Sequence, residues 1–107
     1  MEDKSLNLLE DLVERVKLGE QSYFEQIIEN LQQPIFSYCC YLLGNYHEAQ
    51  DAVQEIFIKA YQKIHLYRSN GSFTAWLYKI AYNHCINFNK KKKLSQVCSF
   101  IGSTGIQ

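Results

Sequence analysis

Proline occurs once and glycine five times in 107 residues. That is too little punctuation for a chain of short strands and turns, and the composition is not that of a disordered one. Strict alternation of apolar and polar residues, the mark of a half-buried strand, is also missing. The four cysteines, Cys39, Cys40, Cys85 and Cys98, include no CxxC pair, which removes the usual zinc-ribbon and dithiol redox spacings. His84–Cys85 with Cys39–Cys40 would supply four metal ligands, but adjacent ligands in both pairs fit zinc-site spacings poorly. Buried, reduced thiols are expected instead, with no metal and no other cofactor. The N-terminal Met-Glu-Asp-Lys-Ser has no basic segment leading into an apolar one, which argues against a signal peptide. The longest apolar run lies within Ile35–Leu43, is interrupted by Ser37, and is far short of the roughly 20 residues that cross a bilayer. A cytoplasmic protein without membrane insertion is expected. Gly-rich phosphate loops, HExxH and GxSxG are absent as well, so no enzyme is expected.

Acidic residues stop at Glu55. Residues 1–55 hold all 11 acids and three bases (Lys4, Arg15, Lys17), a net of −8, and residues 56–107 hold the other eight bases and no acid, +8. The net charge of zero is therefore a cancellation, and each half has its own electrostatic character.

What is present is helical periodicity. Gly19, Gly44 and Gly71 divide the chain into four blocks. Leu6, Leu9, Val13 and Val16 space the first, Leu6–Leu18. The second, Glu20–Leu43, carries Phe24, Ile27, Ile28, Leu31 and Ile35, and Pro34 is expected to kink or interrupt it. The third runs from about His47 to Ile64, and the fourth from after Arg68–Ser72 to about Lys92. Residues 94–107 are uncharged and contain Ser and Gly, and a loose tail is expected there. One all-α domain, a compact bundle of about four helices over residues 1–93, follows.

Two helices carry two unlike faces. Unrolled at about 100° per residue, the third places Ala49, Val53, Ile56, Phe57, Ala60 and Ile64 on one apolar side. Asp51, Gln54, Glu55 and Ile58 lie opposite. A branched apolar residue inside a polar stripe fits a protein-binding surface or a lone exposed isoleucine equally well. On the fourth helix Phe73, Trp76, Leu77, Ile80, Ala81, His84 and Phe88 form the expected core stripe, which makes His84 a packed histidine. The other side shows Tyr78, Lys79, Tyr82, Asn83, Ile86, Asn89 and Lys90–Lys93. Cations, rings and amides so interleaved suit a nucleic-acid strand, the cations on phosphate and the rings stacked on bases. A solvated helix end explains the lysine run alone equally well.

The segment Asp51-Ala-Val-Gln-Glu-Ile-Phe-Ile-Lys-Ala-Tyr61 resembles a signature of bacterial RNA polymerase sigma factors, and Phe73-Thr-Ala-Trp-Leu-Tyr-Lys-Ile-Ala-Tyr-Asn83 extends the match. Together they resemble region 2 of the extracytoplasmic-function group, where DxxQExF precedes TWLYxIAxN. Leu12-Val-Glu-Arg-Val-Lys-Leu-Gly-Glu20 and Tyr41-Leu-Leu-Gly44 are similar to its opening helices, so the resemblance spans about residues 6–93. It implies that Asp51, Gln54, Glu55 and Ile58 dock on the clamp helices of the largest catalytic subunit of core RNA polymerase. It implies also that Tyr67, Arg68, Ser69, Asn70, Gly71 and Ser72 capture a flipped base of the promoter −10 element, on the non-template strand. Trp76, Lys79 and Asn83 then lie beside that strand, and Lys90–Lys93 hold its backbone. An anti-sigma factor is a further candidate partner. Two departures stand out. The group's small acidic loop, RGDxS, is here Arg68-Ser-Asn-Gly-Ser72, which leaves base preference open, and the second (region 4) domain, a helix-turn-helix that reads the −35 element, is expected to be absent. A sigma-like chain that competes for polymerase without initiating transcription is the alternative. A helical nucleic-acid- or metal-binding module unrelated to transcription is a third reading.

Overall fold

The structure, a computed structural model, describes residues 4–68 and 71–103. Among them are four α-helices, α1 Lys4–Lys17, α2 Phe24–Leu43, α3 Tyr46–Lys63 and α4 Phe73–Ser103, and single 3₁₀ turns at Gln21–Tyr23 and Ile64–Leu66. The all-α bundle of about four helices is what the periodicity predicts.

Local chemistry sets the boundaries. Gly44 ends α2 with φ 67°, the left-handed region open to glycine at little cost. Its N–H returns to the Cys40 carbonyl at 2.9 Å. Asn45 then opens α3 from an extended backbone, its Oδ1 accepting the Glu48 N–H at 2.9 Å. Two residues thus join α2 to α3 as a helical hairpin, with α2 at the centre against α1, α3 and α4. Val13, Ile27, Ile35, Ile56, Phe73 and Leu77, from all four helices, are fully buried together. Each contributes about 1.5–3 kcal/mol by leaving water.

Three expectations need correction. Of the two effects expected of Pro34, a kink or an interruption, the interruption does not occur, and α2 runs unbroken from Phe24 to Leu43. Pro34 faces solvent, while Ile27, Leu31, Ile35 and Cys39 bury the helix on both sides of it. Their combined burial exceeds the roughly 3 kcal/mol that an interior proline costs. Residues 94–103 are helical rather than loose, continuing α4 to Ser103. No proline or glycine breaks the backbone ladder between Lys93 and Ile101, although every residue from Lys90 to Ile101 is exposed. Finally, the buried line of α4 is Phe73, Leu77, Ala81 and Cys85, at four-residue spacing. Trp76, Ile80 and His84 are half-buried and Phe88 is exposed, because the contact follows the i+4 ridge that fits a facing groove. Of the expected buried thiols, Cys39 and Cys85 are buried, Cys40 is half-buried and Cys98 is exposed.

Candidate functional site

Asp51, Gln54, Glu55 and Ile58 all reach solvent from α3, and Ile58 is 50% exposed. Two depressions run beside them between α2 and α3. One, of about 380 Å³, is polar, with Gln32, Gln33, Gln50, Asp51 and Gln54 on its walls. The other, of about 640 Å³, is apolar, walled by Phe24, Ile28, Phe57, Ile58 and Tyr61. Gln32, Val53 and Gln54 border both, so the two form one groove with a polar and an apolar end. Ile58 is therefore one edge of an apolar surface that α2 completes, through residues that the α3 pattern alone does not point to. Glu55 lines neither depression, and its charge opposes the drop in the His84 imidazole pKa.

The turn into α4 is built differently from expectation. Tyr67 is only 3% exposed, so its ring cannot serve as a stacking surface in this conformation. Its ring packs on Phe73 and Trp76 at centroid distances of 5.4 and 5.6 Å. Its hydroxyl donates to Glu10 Oε1 at 2.6 Å, with the Gly71 carbonyl 3.1 Å away. The other oxygen of Glu10 accepts the Phe73 N–H at 3.0 Å, and Lys17 Nζ donates to the Tyr67 carbonyl at 2.7 Å. Burial first, then the bond to Glu10, raises the Tyr67 phenol above its ordinary value, so it remains a donor. Ser72 Oγ caps α4 by accepting the Ala75 N–H at 3.2 Å. Arg68 and Gly71 are exposed, and Ser69 and Asn70 lie outside the described residues. Glu10 and Lys17 belong to no site motif of the sequence. Their seven-residue separation on α1, two helical turns, is the one signal that they share a side.

Along α4, half-buried Trp76 and exposed Lys79, Asn83 and Lys90 share one side at helical spacing. Other polar groups of this helix are occupied. Asn89 Nδ2 donates to the Leu42 carbonyl at 3.1 Å, near the C-terminus of α2. Lys92 pairs with Glu48 of α3 at 2.8 Å, which ties the basic half of the chain to the acidic half. Lys59 Nζ donates to His84 Nδ1 at 2.8 Å, which requires a neutral imidazole. Burial first and Lys59 second lower the His84 pKa from 6.5.

These two faces, one a groove ending in apolar walls and one a cationic helix, sit on a fold with known relatives. The Sigma-70 region 2 profile matches residues 27–94. The chain belongs to this family. Among curated relatives, the ECF RNA polymerase sigma factor SigW of Bacillus subtilis is 40% identical over 86 residues, 80% of this chain and 46% of that protein. The ECF RNA polymerase sigma-E factor of Escherichia coli is 38% identical over 80 residues, 72% of this chain and 40% of that protein. The chain thus spans less than half the length of these relatives. A solved structure, an engineered region 2 of sigmaE in complex with GTAAAA, is similar at a TM-score of 0.75 and 33% identity. It covers 79% of this chain and 88% of the other. The groove residues Ile28, Gln54 and Ile58 and the α4 residues Trp76, Lys79, Asn83 and Lys90 all lie within the Sigma-70 region 2 match.

Proposed function

We propose that this region 2 domain binds core RNA polymerase, at the clamp helices of its largest catalytic subunit, through Asp51, Gln54, Glu55 and Ile58. On the same reading it binds the non-template strand of the promoter −10 element through Arg68 to Ser72, Trp76, Lys79, Asn83 and Lys90. The observation that carries the reading is the pair of unlike faces on the region 2 fold. A groove with an acidic, amide-rich end and an apolar end suits a protein helix, while an acid-free cationic helix suits phosphate. Melted promoter DNA exposes base edges and rings, so a domain that binds the single strand favours the open state. A flipped base costs a few kcal/mol of unstacking, offset by contacts in its pocket. The chain makes and breaks no bond, and polymerase performs the chemistry in the cytoplasm. An anti-sigma factor would silence the domain by covering either face.

The test is a crossed pair of variants. Asp51→Arg reverses a charge on the groove wall and is expected to weaken polymerase binding about tenfold or more while single-stranded DNA binding stays within about twofold. Lys79→Ala is expected to do the opposite. Undiminished polymerase binding by Asp51→Arg removes the docking surface from this reading, and undiminished DNA binding by Lys79→Ala removes the α4 face.

A further inference from the structure

A single carboxylate on α1 grips both flanks of the turn that leads into α4. Glu10 spends one oxygen on the Tyr67 hydroxyl, 57 positions away, and the other on the Phe73 N–H, 63 positions away. Two turns further along α1, Lys17 holds the Tyr67 carbonyl across 50 positions. These bonds differ from ordinary bundle contacts. The Phe73 N–H belongs to the first turn of α4, where no intrahelical acceptor exists and the helix dipole favours an anion. An acid from another helix fills that place, and the same acid receives the hydroxyl of a tyrosine that is 3% exposed. Charge-assisted bonds of this kind are about twice as strong as neutral ones. Arg68 at one end of the turn and Gly71–Ser72 at the other are exposed, so the grip is internal while these flanking residues face outward.

We propose that Glu10 is a positioning residue for base recognition, fixing both flanks of the turn between α3 and α4 in a binding-ready shape before DNA arrives. The proposal rests on the DNA reading of α4 given above. Flanks fixed in advance lose less conformational freedom on binding, which raises affinity for the sequence that fits between them more than for others. Glu10 touches no base and acts through Tyr67 and Phe73. Its loss therefore lowers discrimination between sequences, whereas a merely structural bond would change only stability.

The experiment selects single-stranded DNA hexamers from a randomised library on the full chain, then measures affinity for the selected hexamer and for its scramble. Glu10→Gln keeps the side-chain shape but replaces one acceptor oxygen with a donor, Glu10→Ala removes the grip, and Tyr67→Phe removes only the hydroxyl. The ratio of the two affinities is expected to fall about tenfold in Glu10→Ala and by a smaller factor in Glu10→Gln and Tyr67→Phe. Polymerase binding should be unchanged in all three, and hydrogen exchange at the Phe73 amide should quicken in the Glu10 variants. An unchanged ratio in folded variants overturns the positioning role, as does an equal loss for both hexamers. If both Glu10 variants fail to fold, Tyr67→Phe decides by the same ratio. A parent chain that prefers no hexamer overturns the DNA reading, and the positioning role with it.

Discussion

At the residue scale, His84 shows how a side chain can be placed in the right region for an incomplete reason. Its position on the apolar stripe predicts a packed histidine, and the structure half-buries it against Lys59, with Glu55 and Lys91 also within electrostatic reach. The outcome is a histidine that resists protonation when folded. An unfolded histidine takes up its proton near 6.5, so below that pH the unfolded chain binds more protons and stability falls as pH drops. Melting temperature followed from about pH 7.5 to about pH 5.5 should decline in the parent chain and decline less in His84→Gln. Equal slopes would remove His84 from this window. Tyr67 is the opposite case. Its place in the base-capturing turn came from resemblance, and its ring is instead buried against Phe73 and Trp76. The partners that bind its hydroxyl and its carbonyl, Glu10 and Lys17, are 57 and 50 positions away, where the sequence around it gives no sign of them.

At the element scale, α4 separates what periodicity can and cannot assign. Its apolar residues outnumber the positions that one facing groove can take, so a stripe drawn on hydrophobicity alone admits more than one rotation. Packing against α2 and α3 selects Phe73, Leu77, Ala81 and Cys85. Leu77→Ala should therefore cost about 2–5 kcal/mol in denaturant unfolding, whereas Phe88→Ala should cost less than about 1 kcal/mol. Comparable losses would restore the broader stripe. The same packing leaves Cys39 and Cys85 buried, and burial pushes the Cys39 thiol up to about 12. Thiols so placed are protonated and unreactive, and they hold α2 to α4 as small apolar side chains. By contrast, the break between α2 and α3 at Gly44 was legible. Gly44 and Asn45 act locally, within four residues, and local chemistry is what a sequence displays directly.

At the scale of the whole molecule, the division of charge along the chain becomes a division in space. Asp51 and the groove lie on the α2–α3 side, and Lys79 and Lys90 stand on α4, with Glu48 and Lys92 paired where the halves meet. Affinity for single-stranded DNA should consequently fall with salt despite the net charge of zero, by about 0.7 in log–log slope per phosphate contact. Lys79→Ala and Lys90→Ala should each reduce that slope by about 0.7, and Lys92→Ala by less, because Glu48 already holds its charge. Equal reductions would mean that the Lys92 pair opens when DNA binds. By itself the sequence determined the helical class, the break at Gly44, the separation of charge and the exposed isoleucine of α3, because periodicity, glycine placement and charge are written in neighbouring residues. Only the tertiary structure decided that α2 completes the groove around Ile58, that Tyr67 faces inward and that Glu10 grips the turn before α4. Those outcomes depend on partners dozens of residues apart, whose meeting is fixed by how four helices exclude water together.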